Sequence, residues 1–426
     1  MSNKHLPHDL QQLQSLPLEA KERMSLERTK VWFESWIKYT IYNSKTNKTR
    51  FVTHTEEPNE NGCFVKKRKK VNGKMVEVDE LVRGTKLMPT EHITKLEDGQ
   101  VYVSFSGGKD STVLADLCAR VCQRYGYALH LLFVNTGLEY PEIQKFVKTF
   151  AEWLRETYEI EVHLEILRPE MRFDEVLKTY GYPVISKEVA QQLYEVKQSA
   201  KLHGIDARET SPYDRKFNPE SAYCKKNPSY CMQRWDYMID AEFDVSHMCC
   251  MIMKKKPAKK YEKQTGRKPI LGTMAAESRM RRSRWLQFGC NAFEAKRASS
   301  NPLSFWTVQD ILHYIKKHNV PYCSVYGDII IETEDDNQLN LIDYLECYED
   351  DDKLKTTGCD RTGCIFCMFG CHLEKEPNSF QRLKETHPRQ YEYCINGGEM
   401  VDGKWQPSKE GLGLGKVLDY IGVKYD

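Results

Sequence analysis

Residues 104–111 read SFSGGKDS, with two adjacent glycines followed by a lysine, an aspartate and a serine. Gly107 and Gly108 can adopt backbone angles that other residues resist, and they let a ligand approach the main chain. Successive amide N–H groups backed by a helix N-terminus make an anion cradle. Ser104, Ser106, Ser111 and Thr112 bring hydroxyls to this stretch. Lys109 brings a positive charge, and Asp110 brings a carboxylate that could orient the loop or help hold Mg²⁺. Lys109 and Asp110 are therefore the candidate catalytic pair. The order of residues is neither the Walker pattern nor the G-x-G-x-x-G dinucleotide turn.

A second chemistry-bearing group is the cysteines, of which the chain has 15. Cys249 and Cys250 are adjacent in HMCCMIMKKKP. Cys359, Cys364, Cys367 and Cys371 cluster in TGCDRTGCIFCMFGCH. A C-x-x-C unit puts two thiolates on one tight turn, and a metal site needs a second pair to converge on it. The tail cysteines alone, with zinc or an iron–sulfur cluster, are one reading; thiols that bind no metal are another. Thiolates suit zinc and iron alike. Adjacent cysteines would strain a single tetrahedral zinc, which favours a bulkier cubane. Cys224 and Cys231 are spare thiols, structural or redox-active, and for the isolated Cys63, Cys118, Cys122, Cys290, Cys323, Cys347 and Cys394 buried packing is the default.

These residues have to be positioned by a chain of 426 residues, 40% hydrophobic and 29% charged, an ordinary globular composition. A net charge of +2 gives no global field for nucleic acid, so such a partner would need a local patch. No apolar run reaches membrane-spanning length, and the polar N-terminus lacks a secretory core, so a cytoplasmic location is expected. Disulfides are not expected there.

VYVSF, ALHLLFVNT and IEVHLEIL read as strands. They alternate with helices over STVLADLCARVCQRY, ended by Gly126, and PEIQKFVKTFAEWLRETY, opened by Pro141. KPILG adds another strand, and NPLSFWTVQDILHYIKKHNVPY reads as a helix whose Thr307 and Asp310 fit a capping box. This rhythm predicts an α/β fold with a doubly wound parallel sheet over residues 99–325. An N-terminal α+β extension, 1–98, and a Cys-rich C-terminal region, 326–426, flank it. In the extension, Val31, Trp32, Trp36, Ile37 and Tyr39 predict one amphipathic helix. PNENG and VNGK predict turns between short strands, with Lys66–Lys70 either on a solvated hairpin or meeting phosphates.

The S-G-G-K-D-S loop resembles the pyrophosphate-binding loop of the PP-loop ATP pyrophosphatase superfamily. VNTGLEYPE, with Asn135, Thr136 and Gly137, resembles the D-T-G-x-x-[FY]-P-E segment of the phosphoadenosine phosphosulfate (PAPS) reductase family, with Asn135 in place of the usual Asp. GTMAAESRMR resembles that family's G-x-R-x-x-E-S-x-x-R segment through Gly272, Glu277, Ser278 and Arg281, with Met274 where Arg is frequent. PLSFWTVQDILHYI is similar to a further helix of the family. The resemblance implies nucleotide binding by Ser104, Ser106, Gly107, Gly108, Ser111 and Thr112 of the loop, by Asn135, Thr136 and Gly137, and by Gly272, Glu277, Ser278 and Arg281. It also implies a [4Fe–4S] ligand set like that of assimilatory adenylylsulfate reductases, falling here on Cys249, Cys250, Cys364 and Cys367, with zinc as the alternative.

Sulfonucleotide reductases carry their nucleophile in an E-C-G-L-H tail, and YCING around Cys394 is a poor match to it. They also usually carry a degraded loop, whereas this one is complete. The combination resembles instead the ATP pyrophosphatase of DNA phosphorothioation systems, whose sulfur comes from a cysteine desulfurase partner. That implies Mg-ATP cleavage, adenylation of an acceptor and sulfur transfer. A reductase releasing sulfite and a non-catalytic nucleotide-binding subunit are the alternatives. Two basic stretches, Lys254–Lys260 and Arg279–Arg284, suit either a nucleic-acid backbone or the nucleotide's own phosphates.

Overall fold

The computed structural model describes residues 5–36, 38–53, 65–71, 74–80, 91–97, 100–332 and 352–426. Cys63, Cys347 and the PNENG turn lie outside them. The chain forms two compact units that alternate along it. The first comprises Met1–Phe133, Pro141–Ile166 and Lys260–Arg361; the second comprises Val134–Tyr140, Leu167–Lys259 and Thr362–Asp426. Each unit therefore draws on several separate segments of the sequence.

The first unit is built on a sheet in which Val101–Ser104 is central. Leu129–Val134 and then Val162–Leu167 lie to one side of it. The chain then returns to the other side with Lys268–Ile270 and Ser299–Ser300. Asn291–Ala292 closes that edge as the antiparallel strand. Val101–Ser104 pairs in parallel with both its neighbours. This is the doubly wound arrangement predicted. Its direction of winding reverses between Val101–Ser104 and Lys268–Ile270, and ligands bind at such a reversal, beyond the carboxyl ends of the strands. Parallel strands covered on both faces are apolar throughout. Accordingly Val101, Tyr102, Val103 and Phe105 are all buried.

The helix Lys109–Tyr125 buries Val113, Leu114, Leu117, Cys118, Val121 and Cys122. It stops at Gly126, whose φ of 72° is left-handed and suits glycine. Pro141 opens the helix Pro141–Tyr158. Thr307 and Asp310 form the expected capping box on Val308–Lys317: the Thr307 N–H donates to Asp310 at 2.6 Å and the Asp310 N–H to Thr307 Oγ1 at 3.2 Å. Asp116 ties these three helices together. Its carboxylate, fully buried, accepts from the hydroxyls of Tyr158 and Tyr314, each at 2.6 Å, and from Arg120 Nε at 3.0 Å.

The N-terminal helix Leu18–Glu34 packs against Lys109–Tyr125 and Val308–Lys317. Lys21 pairs with Asp310 at 2.8 Å, and Ser25 bridges the Pro302 carbonyl and Trp306 Nε1. The predicted helix is shorter than its apolar spacing suggested. It ends at Glu34, and Tyr39 lies in the strand Lys38–Asn43. KYTIYN is rich in aromatic and β-branched residues, which fit a pleated strand better than a last helical turn. That strand pairs with Lys48–Thr53 and Glu91–Glu97. The basic run forms one strand of a hairpin, Val65–Val71 with Lys74–Glu80, where Lys66 faces Asp79 and Arg68 faces Glu77 in register.

The second unit is mostly helical, including Phe173–Tyr180, Lys187–His203, Ser379–Thr386, Pro388–Ile395 and Leu414–Tyr420. Gly181 is required where it stands, since a Cβ there would lie 2.3 Å from the Asp244 carbonyl carbon. Cys394 is fully buried, as are Cys118 and Cys122 in the first unit, in keeping with packing roles. No helix among the described residues is long and apolar enough to cross a membrane.

Candidate functional site

In the first unit, the glycine loop occupies the point where the sheet reverses its winding, between the end of Val101–Ser104 and the start of Lys109–Tyr125. The loop braces itself. Ser111 Oγ accepts from the Ser106 N–H at 3.1 Å, lies 3.0 Å from Ser106 Oγ and donates to the Gly108 carbonyl at 2.9 Å. Thr112 Oγ1 reaches the same carbonyl at 3.1 Å. Gly107 sits at φ +74°, and a Cβ on it would lie 2.8 Å from Ile143 Cγ2. Both facts demand glycine. Gly272, from the second motif, backs the loop so closely that a Cβ would meet the Asp110 carbonyl oxygen at 3.1 Å.

Lys109 and Asp110 are both drawn inward. Burial pulls the Lys109 ammonium below its usual pKa, partly offset by Asp110 and Asp360. Burial likewise raises the Asp110 carboxyl, against the opposing charges of Lys109, Arg361 and Arg281. Asp110 Oδ1 is buried and has no hydrogen-bond partner among the described residues. A buried carboxylate oxygen left unpartnered is costly unless a cation completes it. Asp110 therefore fits the Mg²⁺ that an intact loop of this kind implies.

Two contacts on the loop come from residues that no sequence pattern singled out. The Tyr326 hydroxyl accepts from the Lys109 N–H at 3.1 Å, and the Asp360 carbonyl accepts from Lys109 Nζ. The motif residue Glu277 is a junction. One carboxylate oxygen accepts from the Met274 N–H at 2.9 Å and from Arg281 Nη1, and the other from Arg361 Nη2 at 3.1 Å. Ser278 caps the helix Arg279–Phe288 by accepting from the Arg281 N–H at 3.3 Å. Met274, standing in the place of a frequent arginine, is buried. Arg361 lies in CDRTGC, where the flanking cysteines draw attention away from it; a charge inside a Cys-rich run was the available signal. Tyr326 has no such signal. Arg284 is spent on Ser299 Oγ at 2.6 Å, while Arg279 and Arg282 stay exposed.

Asn135, Thr136 and Gly137 belong to the second unit. There Glu139 folds their loop back on itself, accepting from the Thr136 N–H at 3.0 Å and from Thr136 Oγ1 at 2.8 Å. Asn135 Oδ1 accepts from the Gly137 N–H at 3.0 Å. Asn135 thus makes the loop-bracing contact that an aspartate in its place could also make.

The same unit holds the adjacent cysteines and the C-x-x-C pair. Cys249 and Cys250 close the helical turn Met248–Cys250, and a π-type turn follows over Met251–Lys255. Such turns are frequent at functional sites. The C-x-x-C segment is pinned at both ends: the Ile365 N–H donates to the Leu138 carbonyl at 2.8 Å, and the Gly370 N–H to the Ile185 carbonyl at 2.9 Å. Between them the Cys367 N–H closes the turn on the Cys364 carbonyl at 3.1 Å. Ile185 itself has φ 62°, a strained setting for a β-branched residue.

The four thiols share one electrostatic neighbourhood. A hydrogen bond from the Cys249 thiol pushes Cys250 down to about 5 against the effect of burial, helped by Lys187, Lys254 and Lys255. Cys249 is raised correspondingly, and it feels the charges of Cys364 and Cys367. Burial would lower the Lys254 ammonium, but Cys364 and Glu139 outweigh it and hold Lys254 charged. Lys254, read from sequence as part of a basic patch, therefore faces the thiols, with Glu139 at 3.7 Å.

Among the described residues, no group of three or more His, Cys, Asp or Glu side chains is gathered around a point that could hold one metal ion. The four soft thiols, with Lys187, Lys254 and Lys255 offsetting charge at Cys250, are of the kind an iron–sulfur cluster takes. Cys371 is turned to the Met368 carbonyl at 3.1 Å. Cys224 Sγ donates to the Lys216 carbonyl at 3.6 Å, and burial together with the neighbouring Cys231 raises its thiol pKa.

The family model for the phosphoadenosine phosphosulfate reductase domain matches residues 100–207 and 225–368, which include both the glycine loop and the cysteine pairs. No curated protein matches the chain. The match makes this an enzyme of the PP-loop superfamily with a nucleotide site. The chain belongs to the phosphoadenosine phosphosulfate reductase family.

Proposed function

We propose that the protein is an ATP pyrophosphatase that activates an acceptor for sulfur transfer. The observation that carries this reading is the complete, self-braced loop, with an unpartnered buried Asp110 oxygen where a nucleotide's Mg²⁺ would be needed. An acceptor oxygen attacks the α-phosphorus of ATP, the bond to the β-phosphate breaks, and pyrophosphate leaves. Sulfide-level sulfur then attacks the adenylated centre, and AMP departs with the oxygen. The loop amides, Ser106, Ser111, Thr112 and Lys109 hold the phosphates and offset their charge, so catalysis comes from positioning and electrostatics. Asp110 would hold Mg²⁺, which neutralises the departing pyrophosphate.

Cys249, Cys250, Cys364 and Cys367 would hold a [4Fe–4S] cluster, which would give incoming sulfur a place to bind. A cysteine desulfurase suits the role of donor. DNA, as in phosphorothioation, suits that of acceptor, supported by the exposed Lys255, Lys259, Arg279 and Arg282. The buried Cys394 argues against a reductase that uses the tail thiol as its nucleophile.

Incubating anaerobically purified protein with Mg-ATP and acceptor is expected to yield pyrophosphate and AMP. Sulfite from PAPS with ATP untouched would instead make the protein a reductase. Iron and acid-labile sulfide are expected at about four each per chain. Cys250→Ser and Cys364→Ser should lose most of both, while Cys371→Ser should retain them. Stoichiometric zinc in a colourless protein would replace the cluster reading.

A further inference from the structure

We propose that Arg361 is a phosphate-recognition residue for the β- and γ-phosphates of the bound nucleotide, and that Glu277 stores it until the nucleotide arrives. This inference rests on the ATP reading above and assigns the part of the site that would distinguish a triphosphate from a monophosphate.

Glu277 carries two guanidinium groups at once, Arg281 on one carboxylate oxygen and Arg361 on the other, the latter at 3.1 Å. The two arginines differ in freedom. Arg281 lies four residues on, in the helix Arg279–Phe288, and its side chain is only 40% exposed, whereas the Arg361 side chain is 69% exposed. Both guanidinium charges are felt at Asp110, and that of Arg361 is also felt at Lys109. Three cations thus converge on one end of the loop. Like charges repel, so two guanidinium groups sharing Glu277 beside the Lys109 ammonium leave a site that a polyanion completes.

The backbone next to Arg361 is already committed to the loop. The Asp360 carbonyl accepts from Lys109 Nζ, and the Cys359 N–H donates to the Val325 carbonyl at 3.0 Å, beside the Tyr326 whose hydroxyl holds the Lys109 N–H. Arg361 therefore extends from a fixed stem at the mouth of the cradle, with a long side chain whose guanidinium is held at Glu277. Exchanging the Glu277 oxygen for phosphate oxygens needs only side-chain rotation. A guanidinium meets phosphate with paired N–H donors, which a lysine cannot reproduce.

The test is equilibrium binding of ATP, AMP and inorganic pyrophosphate, with Mg²⁺, to the full chain and to Arg361→Gln and Arg361→Lys. Loss of one charge-assisted contact predicts about 10- to 100-fold weaker binding of ATP and pyrophosphate to Arg361→Gln, with AMP changed less than about 2-fold. Arg361→Lys should recover part of the loss, which also shows that the variants fold. Equal weakening of AMP and ATP, or no weakening of either, overturns the proposal. If the wild-type chain binds ATP in this pattern yet releases no pyrophosphate, the ATP pyrophosphatase reading fails while the assignment of Arg361 stands. If the wild-type chain does not bind ATP, both fall.

Discussion

Asp110→Asn is expected to cut pyrophosphate release by about 10²- to 10³-fold while leaving the fold intact. The substitution keeps the shape of the side chain and removes the charge that would hold Mg²⁺ beside the departing phosphates. Stability should move the other way. Burial raises the Asp110 pKa above its ordinary value. A carboxyl raised in the folded state makes its stabilising contribution at low pH and loses it as the pH rises through the folded value. Above that folded value the ionised Asp110 is a cost, and Asn should leave the melting temperature there unchanged or higher. Activity lost with stability kept is the mark of a functional residue held at structural expense. Measuring pyrophosphate release and thermal unfolding on the same preparation checks both halves. Unchanged turnover in the assembled system would point to a non-catalytic nucleotide-binding subunit.

Asp116→Ala should have the largest effect on folding, a loss of about 3–5 kcal/mol. The fully buried carboxylate serves Arg120 and two tyrosine hydroxyls from separate helices. Removing it strands the Tyr314 hydroxyl in the interior without an acceptor and takes the acceptor from the half-buried Tyr158 and Arg120 as well. Tyr314→Phe removes one donor and leaves the carboxylate its other two, so about 1 kcal/mol is expected. Denaturant titration of both single variants and the double variant would measure the coupling. If the Tyr314 effect persists undiminished in the Asp116→Ala background, the two residues act independently and the shared network is refuted.

The doubly wound sheet was legible because its strands and helices follow one another at short intervals, with Gly126, Pro141 and Thr307 punctuating them. The glycine loop was legible for the same local reason: conformation, charge and hydroxyls all lie within eight consecutive letters. Tyr326, Asp360 and Arg361 were not, since they reach Lys109 and Glu277 from far along the chain and no periodicity encodes such a meeting. Lys254 shows a different limit. A lysine in a basic run looks solvated until the fold puts a thiol beside it. The helix after Val31 was overextended because apolar spacing alone does not record where alternation takes over.

The alternation of the two units along the chain bears on how the protein is made. Val101–Ser104 emerges from the ribosome early, but its partner Lys268–Ile270 is roughly 170 residues behind it, about 10–30 s at ordinary synthesis rates. Through that interval one side of the central strand stays unpaired, an edge open to wrong partners. The whole of the second unit's Val134–Tyr140 and Leu167–Lys259 is synthesised in the gap. Neither unit is complete as a contiguous gene fragment, so cutting the message at any one codon yields no intact half. Yield in a foreign host should accordingly depend on chaperone supply and slow, cool expression more than on codon choice at either end.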